Sequence, residues 1–341
     1  MKVVSHGAQA RHYPPHFLVN GVFQPNPEVP ERQDRLLQAA RAAGCRHEQP
    51  LAHGMEPIAA VHSEAYLRFL ERAWERWARI EGAAPAVIPN IHPDRRDVGY
   101  PRSVVAQAGY HMSDASAPIA EGSWESILWS AWSAVHAARF LLDGETSAYA
   151  LCRPPGHHAF ADMAGGFCYL NNTAIAAQLL RRAHARVAIL DVDLHHGNGT
   201  QSIFYDRGDV LTVSIHADPE RFYPFFWGYA GETGAGDGEG CNLNLPLPRG
   251  SRDDAFLAAL DTAIRKIADF KPGALVVALG LDAFEGDPFG GLGVSTAGFG
   301  KIGHRISTSL RLPTLLVQEG GYLCDALGDN LVSFLEGFGS A

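Results

Sequence analysis

The 341-residue chain has little cysteine, a deficit of positive charge and no long apolar run. Its five cysteines, Cys45, Cys152, Cys168, Cys241 and Cys324, are scattered and form no C-x-x-C pair. An odd, dispersed set argues against a disulfide framework and against a thiolate zinc site. Lysine and arginine number 28 against 37 acidic residues, a net charge of -9. No basic patch suits a phosphate backbone, so no nucleic-acid partner is expected. The apolar run Ala274 to Leu281 is far too short to span a bilayer. The opening Met1-Lys2-Val3-Val4-Ser5-His6 has no stretch long enough for a signal peptide. A cytoplasmic protein without a membrane partner is the expectation. Internal repeats and low-complexity linkers are absent as well, which points to a single domain over residues 1–341.

What remains is an ordinary globular composition, 46% hydrophobic and 19% charged, enough for a large core. Short runs without polar alternation read as fully buried strands: Ala148 to Cys152, Val187 to Leu190, Val210 to Ile215, Ala274 to Leu279 and Thr314 to Val317. Helical patterns lie between them. Asn172 to Arg182 is rich in Ala, Leu and Ile. Asp253 to Phe270 spaces Phe256, Leu257, Leu260, Ile264 and Ile267 by threes and fours, with Ser251 as its expected N-cap. Alternating strands and helices predict an α/β fold with parallel strands and helical crossovers. From about Glu81 to Ser103 the chain has no clean period and four prolines, Pro85, Pro89, Pro93 and Pro101. Such a stretch, following Trp74 and Trp77, reads as a lid, a binding loop or an oligomer contact.

Ligands of open α/β sheets gather at the carboxyl ends of the strands. Here four apolar runs each lead into chemically loaded residues. Cys152 is followed by Arg153-Pro154-Pro155-Gly156-His157-His158, and Leu190 by Asp191-Val192-Asp193-Leu194-His195-His196-Gly197-Asn198-Gly199. Leu279 is followed by Gly280-Leu281-Asp282, and Val317 by Gln318-Glu319-Gly320-Gly321-Tyr322. On an extended segment Asp191, Asp193 and His195 share a face. Asp193, His195 and Asp282 would give a metal one nitrogen and two carboxylate oxygens, leaving a place for water. Zinc suits this set, and so do Fe(II), Co(II) and Mn(II), because no thiolate softens it. The tandem His157 and His158 can serve as base and acid if at least one is neutral. Asp191 is placed to orient one of them and Asn198 the other; an amide orients an imidazole without raising its pKa. Two glycines before Tyr322 let its O–H approach the metal and a developing oxyanion.

At these residues the chain resembles the histone deacetylase-like acetylpolyamine amidohydrolases of the arginase–deacetylase superfamily. The matching stretches are Cys152 to His158, Gly165-Gly166-Phe167-Cys168-Tyr169-Leu170-Asn171-Asn172, Asp191 to Gly199, Gly280 to Phe284 and Glu319 to Tyr322, with Val61 to Tyr66 near the N-terminus. The resemblance implies one three-layer α/β/α domain around a mostly parallel sheet of eight strands. It implies zinc on Asp193, His195 and Asp282, His158 as general base and acid, His157 as its electrostatic neighbour and Tyr322 as the carbonyl-polarising group. Gly166, Phe167 and Tyr223 would form a tunnel for an extended acyl-amine chain. A structural K⁺ would take Asp191, the carbonyls of Asp193 and His195, Ser214 and the carbonyl of Ile215. The segment 81–103 resembles an insertion that builds a homodimer and narrows the mouth. Small cationic acetylated amines such as acetylputrescine or acetylcadaverine are then the implied substrates. Acid side chains at the rim, which polyamine-selective relatives carry, align near Val105 and Ser116, with Asp114 the nearest acid. Acetyllysine deacetylation, ureohydrolysis on a dimanganese cluster and non-catalytic binding of acetylated amines are the competing readings. The last predicts a broken triad or a missing tyrosine, and the chain has both intact.

Overall fold

Strands buried on both faces need a helical layer on each side. The chain supplies this arrangement. The computed structural model describes residues 1–340. Its strands are β1 (Lys2–Val4), β2 (His16–Val19), β3 (Val22–Pro25), β4 (Arg46–Glu48), β5 (Ser147–Ala150), β6 (Val187–Asp191), β7 (Val210–Ala217), β8 (Asn242–Leu247), β9 (Ala274–Leu279) and β10 (Thr314–Gln318). Eight of them form one sheet in the order β4-β1-β5-β10-β9-β6-β7-β8, every pair parallel. β2 and β3 form a separate antiparallel hairpin. The α-helices are α1 (Pro30–Ala42), α2 (Glu56–Ala59), α3 (Glu64–Trp77), α4 (Val104–His111), α5 (Ser123–Leu142), α6 (Asn172–Leu180), α7 (Asn198–Phe204), α8 (Asp253–Phe270), α9 (Thr296–Leu310) and α10 (Leu327–Gly339).

Strand alternation assigns each helix a face. Ala148, Ala150, Val187, Ile189, Val276 and Val317 pack with α3, α4, α5 and α6. Their neighbours Tyr149, Ala188, Leu190, Val277 and Leu316 pack with α1, α8, α9 and α10. Each fully buried Val, Leu or Ile contributes about 1.5–3 kcal/mol, so this central alternation carries much of the stability. None of the helices, among the described residues, is long and apolar enough to cross a membrane.

The five expected strands are present, β9 and α8 with the expected bounds and the other four strands with ends moved by one or two residues. Helix α6 stops at Leu180, short of Arg182, and Asn171 caps its start by accepting from the Ala174 N–H. The N-cap of α8 is Arg252, without a side-chain cap, and not Ser251. Ser251 Oγ instead donates to the Pro248 carbonyl, and Asp253 is engaged by the Ser295 N–H and hydroxyl. The additional strands β1 and β4 are three residues each, and β8 is a partly exposed edge. The hairpin turns at Asn20-Gly21, both at positive φ, the residue pair such a turn requires.

Residues 81–103 contain no helix or strand apart from a bridge of Val87 to Ile119. The two tryptophans before this segment need no partner surface. Trp77 is buried and donates to the Ala84 carbonyl, and Trp74 packs against the chain's own core.

Candidate active site

Strand β6 ends at Asp191, and the backbone then turns through carboxylate-held amides. Asp191 Oδ1 accepts from the Asp193 N–H at 3.0 Å, and Asp193 Oδ1 from the His195 N–H at 2.9 Å. Asp282, from the loop after β9, accepts from the Leu194 N–H at 3.0 Å. Asp193, His195 and Asp282 thereby meet, each offering a ligand atom within 4.8 Å of the others. Both carboxylates are fully buried. His195 Nδ1 lies 3.2 Å from Asp193 Oδ1 and 3.1 Å from Asp282 Oδ2. Burial alone would lower the His195 pKa, but the hydrogen bonds that its imidazole donates to Asp193 and Asp282 raise it to about 9. Two buried carboxylates facing one imidazole demand positive charge, and a divalent cation would supply it. The glycines at this point allow the approach: a Cβ on Gly280 would sit 2.2 Å from Asp193 Oδ2, and one on Gly320 2.3 Å from Asp282 Oδ2. The donor set fits a metal with an open coordination position.

His157, Cys168 and Glu319 form a second buried group of possible ligands. Their donors are already committed. Cys168 Sγ donates to the Gly166 carbonyl. Glu319 accepts from the Gly156 and His157 N–H groups and from the Thr173 hydroxyl.

The tandem histidines have unlike partners. His157 Nδ1 donates to Asp191 Oδ2 at 2.9 Å, and its Nε2 lies 3.8 Å from Asp193 Oδ1. His158 Nδ1 is 2.7 Å from Asn198 Oδ1. With that hydrogen on Nδ1, the His158 Nε2 lone pair is free. Burial would lower His157, but Asp193 and Asp191 hold it well above an ordinary histidine. Burial, then the charges of His157 and His195, push His158 well below it. Adjacent residues with ring centroids 4.0 Å apart therefore favour opposite protonation states.

Tyr322 is 4% exposed and follows Gly321, which has φ +108°. Burial keeps its phenol protonated, and Arg32 opposes that shift. The Arg32 guanidinium lies 4.8 Å from the ring and donates to the Gly321 and Glu319 carbonyls. The pair Glu28 and Arg32 is itself buried at helix spacing, a charged i,i+4 pair that the sequence carries but whose destination it does not reveal. Asp287 and Glu319 are likewise buried carboxyls absent from the expected site, each raised to about 7 by burial first.

His158, His195, Asn198 and Tyr322 border a cavity of about 670 Å³. Gly166, Phe167 and Tyr223 line it, together with the unanticipated Phe17, Phe222 and Phe289. Gly166 (φ +52°) has no room for a side chain, since a Cβ there would lie 2.5 Å from His158 Cδ2. Ser116 and Asp114 reach this wall, whereas α4 holds Val105. Asp114 points inward: it accepts from the Tyr223 hydroxyl at 2.6 Å and from the Gly166 N–H at 3.2 Å. Of the residues expected around a monovalent cation, Asp191 and Ser214 are paired across β6 and β7 and border one small polar cavity. Asp193, His195 and Ile215 do not border it.

A parallel sheet whose strand ends gather buried carboxylates, imidazoles and a phenol beside one cavity defines an α/β protein with a candidate metal centre. The chain belongs to the histone deacetylase family: the family model of the histone deacetylase domain matches residues 26–338. It is an enzyme of that family. It is 50% identical over 336 residues to an acetylpolyamine amidohydrolase of Burkholderia pseudomallei, covering 98% of each chain. It is 41% identical over 322 residues to an acetylpolyamine amidohydrolase of Mycoplana ramosa, covering 94% of each. The crystal structure of the acetylpolyamine aminohydrolase from Burkholderia pseudomallei superposes with a TM-score of 0.97, covering 100% of this chain and 99% of that one. The sheet and its helical layers are the arginase–deacetylase fold.

Proposed function

We propose that the protein hydrolyses the amide bond of N-acetylated polyamines and diamines, such as acetylputrescine and acetylcadaverine, releasing acetate and the free amine. The observation that carries this reading is the cluster of Asp193, His195 and Asp282, whose His195 lines one cavity with His158, Tyr322 and several aromatic rings. Asp193, His195 and Asp282 would hold a divalent cation, zinc by the family resemblance, with Fe(II), Co(II) or Mn(II) also suiting the donors. Such an ion polarises a carbonyl and acidifies bound water. His158 Nε2 takes the proton from the attacking water as oxygen bonds to the acetyl carbon. It returns that proton to nitrogen as the C–N bond breaks. His157, held cationic between Asp191 and Asp193, supplies charge and does not carry the proton. Tyr322 offers its O–H to the developing oxyanion. Asn198 and Asp191 fix the two imidazoles. Gly166, Phe167 and Tyr223 enclose an unbranched methylene chain. A K⁺ on Asp191, Ser214 and the carbonyls of Asp193, His195 and Ile215 would brace β6 against β7.

The relatives named acetylpolyamine amidohydrolases support a small acetylated amine over a protein tail. The whole chain acts as one catalytic unit in the cytoplasm. We assign a homodimer contact to residues 81–103, where Ile91 is 60% and Tyr100 47% exposed. The zinc-loaded protein, assayed with acetylputrescine and an acetylated histone peptide, tests the reading. Acetate release with higher kcat/KM on acetylputrescine supports it. Preference for the peptide together with a monomer by light scattering would overturn the polyamine and dimer assignments. Absence of hydrolysis on both would overturn the enzyme chemistry.

A further inference from the structure

We propose that Asp287 is a positioning residue for Tyr322: its buried carboxylate fixes the backbone from which the phenol projects and the ring that packs beside it. The proposal rests on the role given to Tyr322 above. Asp287 lies in the loop after β9 and is 6% exposed. Its Oδ2 accepts from the Tyr322 N–H at 2.9 Å, and its Oδ1 from the Phe289 N–H at 2.9 Å. One carboxylate thus ties the loop after β9 to the segment after β10 beyond their last backbone hydrogen bond, from the Leu281 N–H to the Gly320 carbonyl.

The local backbone explains why such a tie is needed. Gly320 is still tied to its neighbours, its N–H by Asp193 and its carbonyl by the Leu281 N–H, but Gly321 and Tyr322 have left β10 and have not entered α10, so neither ladder nor helix fixes those two. Gly321 is at φ +108°, and a Cβ there would lie 2.7 Å from the Leu281 Cβ. Glycine permits this path but does not enforce it. Asp287 enforces it by capturing the next amide. Through its second oxygen it also places Phe289, whose ring is 4.6 Å from the Tyr322 ring at 66°. Arg32 stands 4.8 Å from the Tyr322 ring and holds the carbonyls of Glu319 and Gly321. Asp287 therefore fixes the Tyr322 amide, and Arg32 the carbonyls of Glu319 and Gly321. Asparagine cannot replace Asp287, because it keeps one acceptor and turns a donor toward an N–H. A backbone shift of about 1 Å at a catalytic group can cost about a hundredfold in rate.

A double-mutant cycle tests the proposal with wild type, D287N, Y322F and D287N/Y322F, each zinc-loaded and assayed on acetylputrescine and on a fluorogenic acetyl-lysine substrate. Metal content and Tm are measured alongside. D287N should keep its metal and lower kcat by about 10–100-fold with little change in KM. In the Y322F background the same substitution should cost almost nothing, because the group it positions is gone. Equal losses in both backgrounds, a loss of metal in D287N, or full activity of D287N would overturn the positioning role. If D287N does not accumulate, D287E, with both acceptor oxygens on a longer stem, enters the same cycle under the same criteria. A Y322F variant of near-normal activity would instead remove the role of Tyr322, and the positioning role with it. Loss in Y322F with additive loss from D287N would sink the positioning role alone.

Discussion

Behind His195, which lines the cavity, Asp193 and Asp282 are fully buried, and their oxygens meet an imidazole or backbone amides. At the mouth Phe226 is 84% exposed and Phe225 48%, on a loop between β7 and β8. The floor grows from central strands locked by neighbours on both sides. The mouth grows from loops and from the β2–β3 hairpin, where Val22 and Phe23 are also exposed. A packed interior transmits any change, whereas an exposed loop absorbs it. Chemistry should therefore be sensitive at the floor, and substrate selection adjustable at the mouth.

The most damaging break in this comparison is expected at a metal donor. Asp282→Asn should lower metal affinity by more than the about 10–100-fold typical of groups that merely orient a ligand. Elemental analysis after dialysis measures it; full metal content with normal turnover would remove Asp282 from the donor set.

Next come the tandem histidines. His158→Ala should reduce kcat by about 10²–10⁴, the range of a lost proton carrier. His157→Ala should reduce it less, because its imidazole supplies charge. Single-turnover rates for the two variants give the order, and a reversed order would exchange their roles.

A finer break alters only the partner of the base. His158 is pushed below an ordinary histidine, so it is neutral, and competent as a base, down to pH values below 6.5. The acid limb of kcat/KM should accordingly lie below pH 6.5. Asn198→Asp places a negative charge 2.7 Å from Nδ1 and favours the imidazolium. The acid limb should then move to higher pH by about one unit or more. A limb that stays in place, or moves to lower pH, would mean that His158 is not the titrating base.

The smallest effect is expected at the mouth. Phe226→Ala removes an exposed ring that no buried group depends on. Stability should change by less than about 0.5 kcal/mol. Any kinetic change should appear in KM for longer acetylated amines. A large fall in kcat or Tm would show that the mouth is coupled to the floor.

The parts of this organisation legible in the sequence share a physical origin. Ala274–Leu279 and Val187–Asp191 are central strands, apolar on both faces, so the apolar run nearly coincides with the element. The residues just past their ends follow from the parallel topology itself. Asp193, His195 and Asp282 were identifiable for that reason. The pairing of His157 with Asp191 and of His158 with Asn198 follows the same strand-end logic. Lys2–Val4 and Arg46–Glu48 were hidden because three residues carry no period. Ser251 failed as a cap because Asp253 and Ser295 engage each other across 42 positions, a long-range pairing that no local rule sees. Trp74 and Trp77 suggested an outside partner, yet the fold provides their cover from within.

The sequence by itself determined the parallel strands, the strand-end donors and the glycines that let them approach, because each depends on local period or on side-chain size. Tertiary structure alone decided that Asp287 reaches the Tyr322 amide and that Arg32 comes from α1 to lie against the phenol ring. It also decided that Asp114 turns inward to take the Tyr223 hydroxyl. Asp114 and Tyr223 are separated by 109 positions and Arg32 and Gly321 by 289. Which buried polar group finds which partner is fixed only when the packing of both cores brings the two within hydrogen-bond reach.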